Sequence, residues 1–136
     1  MTIVLRNDLA ELERVSQGVS EFWTQHNLPA ELEGDLSLAL EEILANIIMH
    51  GYGDREEHQI VVRLESAADE IQAFVEDDGV AFNPLNAPEP DLTSPLEQRR
   101  IGGLGLHLVR NLMDVLNYER RGDRNHFRMT KRLGLP

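Results

Sequence analysis

Residues 30–49, AELEGDLSLALEEILANIIM, carry apolar side chains at Leu32, Leu36, Leu40, Ile43 and Ile47. Steps of three and four set these positions along one stripe of an α-helix. Such a helix is marginal alone and forms when another layer covers its stripe. Gly51-Tyr52-Gly53-Asp54 ends it. The rest of the chain supplies the cover. Thr2 to Arg6 (TIVLR), His58 to Glu65 (HQIVVRLE) and Ile71 to Glu76 (IQAFVE) read as strands, the last two joined around Ala67-Ala68-Asp69. Two more strand-like pieces, 115–120 and 125–132, flank a Gly122-Asp123 turn. A helix is expected from Asn7 or Asp8, an N-cap type, through Leu9, Leu12, Val15, Val19 and Phe22 to about Asn27-Leu28-Pro29. Another is expected from about Leu104 to Asp114. No repeat is visible, and 136 residues fit one domain over 1–136.

Composition narrows the function classes. A net charge of −11 disfavours nucleic acid and anionic membrane surfaces as main partners. A local site for a nucleotide, helped by a metal, stays compatible with it. No apolar run reaches membrane-spanning length, and no secretory signal pattern opens the chain. The chain has no cysteine, which excludes thiol chemistry and disulfides and makes a reducing cytoplasm the expected location.

Three local features carry chemistry. The first is IGGLGLHLVRNLMDVL, Ile101 to Leu116, where glycines run directly into a helical pattern. It contains neither a Walker loop nor a dinucleotide-binding fingerprint. It is either a glycine turn ending a loop or a set of bare amides at a helix N-terminus, where an anion is favoured. The second is LALEEILANIIMHGYG, Leu38 to Gly53. Glu42 and Asn46 stand one turn apart on one face, with Glu41 rotated away. They form either a polar stripe or a carboxylate for proton work beside an amide suited to Mg²⁺. The third is FVEDDGVAFNP, Phe74 to Pro84, an apolar strand closing on Asp-Asp-Gly. This is either a turn or a carboxylate placed for an exocyclic amine, with glycine admitting a flat ring.

In that order the features resemble the N box and the two glycine boxes of the ATPase superfamily that includes gyrase, MutL and sensor histidine kinases. The matching residues are Glu42 to Asn46, Asp77-Asp78-Gly79 and Gly103-Leu104-Gly105. The short length, NIIMHGY, the DxGxxFxP pattern and GLGLHLVRNLMD resemble, within it, the anti-sigma-factor serine/threonine kinases. The resemblance implies a two-layer α/β sandwich, the Bergerat ATP-binding fold, with helices on one face of a mixed, mainly antiparallel sheet. It implies ATP and Mg²⁺ as cofactors. Asp77 would accept from the adenine amine, and Gly79 would give the base room. Asn46 would ligate Mg²⁺, and Glu42 would be the catalytic carboxylate. Gly103, Leu104 and Gly105 would meet the phosphates, and residues 84–102 would form an ATP lid. His50 is expected either to line the phosphate side or to cap its helix. Arg100, with Arg99, stands where a lid cation would reach the γ-phosphate.

Two departures qualify the match. Ala81 replaces a second glycine common in relatives, and Arg124-Asn125-His126 stands where a late Gly-Thr often closes the site, so no phosphate contact is carried over from it. The implied function is a kinase that phosphorylates an anti-anti-sigma (STAS-type) partner and sequesters a sigma factor or similar regulator. A homodimer is compatible with it. The alternative is a non-catalytic, ATP-dependent sequestering module. A histidine-kinase catalytic domain is disfavoured, because no phosphoacceptor helix pair precedes Met1. Glu42 favours the kinase, since a binding module has no need of that carboxylate.

Overall fold

In the computed structural model, which describes residues 1–82 and 103–134, the strand and helix periods become two layers. The elements are β1 (Thr2–Arg6), a 3-10 turn (Leu9–Glu11), α1 (Leu12–Gln25), α2 (Ala30–His50), β2 (Gln59–Ala67), β3 (Glu70–Asp77), α3 (Gly103–Leu112), β4 (Val115–Arg121) and β5 (Arg124–Arg132). Each lies within a few residues of its predicted span. The strands form one sheet in the order β1-β2-β3-β5-β4, and every described pairing is antiparallel. This is the limiting case of the mainly antiparallel sheet expected.

Local chemistry sets the corners. The Asp8 side chain accepts from the Ala10 N–H at 2.9 Å, capping the short turn before α1. The buried Glu11 carboxylate accepts from the Arg6 N–H at 3.0 Å and from Arg14 at 2.7 Å, tying β1 to α1. Asn27 closes α1 with φ of 50°, a left-handed conformation that asparagine tolerates. The Trp23 indole N–H donates to the Pro29 carbonyl at 2.7 Å and fixes the α1–α2 turn. Glu31 and Glu33 stand in the first turn of α2, where its dipole favours negative charge.

The core lies between the helices and one face of the sheet. Alternate residues Ile60, Val62 and Leu64, then Ile71, Ala73 and Val75, then Phe127 and Met129 are buried there. Val15, Val19 and Phe22 of α1 and Leu36, Leu40, Ile43 and Leu44 of α2 belong to the same cluster. Each large side chain so buried contributes roughly 1.5–3 kcal/mol by removal from water. Residues of the opposite period, the buried Thr130 of β5 excepted, stay at least partly exposed, with the Arg63 guanidinium 4.3 Å from the Phe74 ring centre. The β2–β3 and β4–β5 hairpins are joined by the non-consecutive β3–β5 pair, in which Asp77 stands opposite Asn125. That register builds the site.

Candidate functional site

A cavity of ≈ 350 Å³ opens where the C-terminal half of α2 passes the end of β3. This volume is in the range of small-molecule sites. Among the described residues its polar lining is Asn46, His50, Asp77, Tyr118 and Asn125. Ile43, Ile47, Val80, Phe82 and Phe127 supply apolar walls. Helical spacing delivers the α2 set, because residues 43, 46, 47 and 50 share a face. Strand ends and hairpin register deliver the others.

Asp77 is the centre of the cavity's polar side. It is buried, and its Oδ1 accepts from the Gly79 N–H at 2.8 Å and from Asn125 Nδ2 at 3.0 Å. Its Oδ2 takes no hydrogen bond among the described residues. Gly79 is required for a close approach: a Cβ there would lie 2.4 Å from the Gly51 carbonyl oxygen and 2.9 Å from Asp77 Oδ1. The Val80 N–H donates to that same Gly51 carbonyl at 2.8 Å, so the loop after α2 is stitched to the loop after β3.

The expected residues fall as follows. Asn46 is half-buried on the cavity wall, and His50, the last residue of α2, is exposed at its rim. Glu42 lies one turn before Asn46 and is half-buried, Glu41 is exposed, and neither lines the cavity. Asp77 lines it, and Gly79 stands directly behind. Gly103, Leu104 and Gly105 are the first residues of α3, so helix geometry leaves their N–H groups without intrahelical partners. α3 packs beside α2. Arg99, Arg100 and the expected lid at 84–102 lie outside the described residues.

Several residues at the site were given no role by the sequence. Asn125 donates to Val80 O at 2.9 Å as well as to Asp77, and its Oδ1 accepts from the Tyr118 hydroxyl at 2.5 Å and Arg120 Nη1 at 3.1 Å. Arg120 Nη1 also donates to Gly79 O at 2.8 Å. Only the β3–β5–β4 register reveals these partners. Tyr52 has a buried hydroxyl with no hydrogen-bond partner among the described residues, and burial, with the charges of Asp77 and Asp78, pushes its pKa well above the ordinary phenol value. Its ring stacks on His58, with centroids 4.1 Å apart. The two His58 ring nitrogens face Asp54 Oδ1 at 2.7 Å and Asp78 Oδ1 at 3.2 Å. The Asp54 hydrogen bond, with both carboxylate charges, raises the His58 pKa against a smaller desolvation effect. Asp54, Glu56 and His58 also bring ligand-type atoms within 4.8 Å of one another, but His58 is committed to its two aspartates.

This arrangement can hold a flat, amine-bearing ring between apolar walls against a buried carboxylate. A helix with an amide and a carboxylate one turn apart continues away from it. The family model described as a histidine kinase-like ATPase domain matches residues 5–131. The chain is similar to the serine/threonine-protein kinase BtrW of Bordetella bronchiseptica, at 32% identity over 80% of each chain. It is also 32% identical to an anti-sigma F factor of Clostridium novyi, over 74% of this chain and 71% of that one. Among solved structures, the fold is similar to the RsbU and RsbW domains of Rv1364c from Mycobacterium tuberculosis, with a TM-score of 0.67 at 16% identity over 98% of this chain and 31% of that one. A blue-light activated histidine kinase of Erythrobacter litoralis aligns with a TM-score of 0.58 at 20% identity, over 92% of this chain and 60% of that one. The chain belongs to the histidine kinase-like ATPase domain family and, within it, to the group of serine/threonine kinases and anti-sigma factors that these relatives represent.

Proposed function

We propose that this protein is an ATP-dependent serine/threonine kinase of a partner-switching pathway, acting in the cytoplasm as a single ATPase domain. Its protein substrate would be a serine of an anti-anti-sigma (STAS-type) partner, and it would sequester a sigma factor or similar regulator. The observation that carries the reading is Asp77, a buried carboxylate with one oxygen unengaged among the described residues at an apolar cavity, with Asn46 on the facing helix wall. A base with an exocyclic amine fits there. Asp77 would accept a hydrogen bond from the amine N–H, and Ile43, Ile47, Val80, Phe82 and Phe127 would exclude water from the ring faces.

Asn46 would hold Mg²⁺, since an amide oxygen is a hard ligand and Mg²⁺ uses few protein ligands. When bound, the ion neutralises phosphate charge and orients the terminal phosphoryl group. Glu42 would accept the proton of the attacking serine hydroxyl as its oxygen bonds to phosphorus and ADP leaves. The amides of Gly103, Leu104 and Gly105 at the start of α3 would meet the phosphate oxygens. Arg100 of the expected lid is the candidate partner for the terminal phosphate, and His50 for the phosphates beside α2.

One observation favours the sequestering module as second reading: Glu42 does not line the cavity. Incubation with labelled ATP and a candidate STAS-type partner separates the two. Phosphoserine on the partner supports the kinase. Nucleotide-dependent capture of a regulator with no transfer to any partner supports the module.

A further inference from the structure

Asp77, Asn125 and Arg120 stand in one row across three strands. Asp77 pairs with Asn125 between β3 and β5, and Asn125 pairs with Arg120 between β5 and β4. Directly opposed residues share a face of the sheet, so Asn125 necessarily sits between a buried carboxylate and a guanidinium. An arginine that reached Asp77 would form a bidentate pair with it and occupy both oxygens.

The amide prevents that. Asn125 Nδ2 gives one N–H to Asp77 Oδ1 at 3.0 Å and the other to Val80 O at 2.9 Å. Its Oδ1 takes the Tyr118 hydroxyl at 2.5 Å and Arg120 Nη1 at 3.1 Å. All the bonding capacity directed at neighbours is used, and a flipped amide would set oxygen against Asp77 Oδ1 and Val80 O. The orientation is therefore unique. Arg120 is held off, with Nη1 on Asn125 Oδ1 and Gly79 O.

We propose that Asn125 is the positioning residue that makes the pocket select a 6-aminopurine: it insulates Asp77 from Arg120 and leaves Asp77 Oδ2 as a pure acceptor. Adenine offers an N–H donor at its exocyclic position. Hypoxanthine and guanine offer a carbonyl oxygen there, which a carboxylate oxygen repels. With Asn125 removed, Arg120 reaches the carboxylate and offers N–H donors to the pocket, which suits the carbonyl bases. The inference rests on the nucleotide reading of the cavity and adds its base selectivity.

The test is calorimetric binding of ADP and IDP to the full chain. The parent is expected to prefer ADP by about ten- to a hundred-fold, the scale of a hydrogen bond to a charged group. Asn125→Ala should cut that ratio by about tenfold or more, losing ADP affinity while holding or gaining IDP affinity. Asn125→Ala combined with Arg120→Gln should recover most of the preference, because the intruding cation is gone. A merely structural role for Asn125 predicts the opposite, with the double variant no better than the single. An Asn125→Ala protein with the parental ratio, or a double variant with no recovery, overturns the proposal. A parent that binds neither nucleotide overturns the nucleotide reading beneath it. Should Asn125→Ala fail to fold, Tyr118→Phe loosens the same amide while keeping the ring. It should reduce the ratio by a smaller factor, and an unchanged ratio there counts against the proposal equally.

Discussion

Asp77 is buried and has two donors on Oδ1, and its Oδ2, free among the described residues, faces the cavity's polar side. Asp77→Asn keeps the shape but presents an amide where an acceptor is needed. ATP and ADP should weaken alike by about ten- to a hundred-fold, since the lost bond has a charged acceptor worth about 1.5–3 kcal/mol. Isothermal calorimetry that finds unchanged ADP affinity in a folded variant removes Asp77 from the adenine pocket. Glu42 invites a different measurement. Glu42→Gln should bind ATP nearly as the parent does, while transfer to the partner serine falls by about 10²–10⁴-fold, the range for a positioned base. Glu41, exposed where Glu42 is half-buried, supplies the control, and Glu41→Gln should leave transfer unchanged. Robust transfer by Glu42→Gln assigns the proton elsewhere. Asn46 on the cavity wall was legible because an α-helix converts a four-residue spacing into one face, while Glu42, one turn earlier, does not line the cavity. Asn125 was not, because its partners come from strand register, which no local pattern encodes.

At the scale of elements, the helices and strands were legible as periods, and the turn between β4 and β5 as Gly122, which has φ of +60°. The order of the strands was not. The β3–β5 pair joins two hairpins separated by α3, and its register follows from burying Val75 and Phe127 together on the helix face. The path of the loop from Gly51 to His58 was not legible beyond its helix stop and the Gly51-Tyr52 of NIIMHGY. It is pinned at both ends: Gly51 O accepts from Val80, and Asn7 Oδ1 accepts from the His58 N–H at 2.9 Å. His58 holds its middle and the Asp78 loop together by facing both aspartates, an arrangement only the imidazolium satisfies with two donors. Because the folded pKa of His58 is raised, its stabilisation is complete below the ordinary histidine value of about 6.5 and is lost as pH rises through the folded value. Asp54, whose pKa its His58 hydrogen bond lowers, sets the other edge: its contribution fades as pH falls below its ordinary carboxylate value. Urea unfolding of the parent and of His58→Gln should therefore differ most near about pH 5.5 and converge as pH rises through the raised folded value. A difference that grows with pH would show that the neutral ring carries the contact.

Across the whole molecule, the cavity draws walls from α2, the loops at 51 and 80–82, and strands β3, β4 and β5. A ligand there touches both layers, so its binding energy should add to global unfolding and not merely to closure of one loop. At about 100 times its dissociation constant, ADP should stabilise the fold by about 2.7 kcal/mol. For a chain of 136 residues this raises Tm by roughly 10 °C, at about 3–4 °C per kcal/mol. Leu36 tests whether that increment is independent of the core. It is fully buried in α2, two turns before the cavity residue Ile43, or about 10 Å along the axis. Leu36→Ala should cost about 2–5 kcal/mol through lost contacts and the cavity left behind, lowering Tm without ligand. Sites this far apart add within about 0.5 kcal/mol, so ADP should raise the Tm of Leu36→Ala by nearly the same amount as in the parent. Asp77→Asn should show the converse, a small change without ligand and a much reduced increment with it. Calorimetric scans of the three proteins with and without ADP read all of this at once. A Leu36→Ala protein whose ADP increment collapses would mean that the pocket exists only as well as α2 is packed, and that the nucleotide site and the core are one cooperative structure.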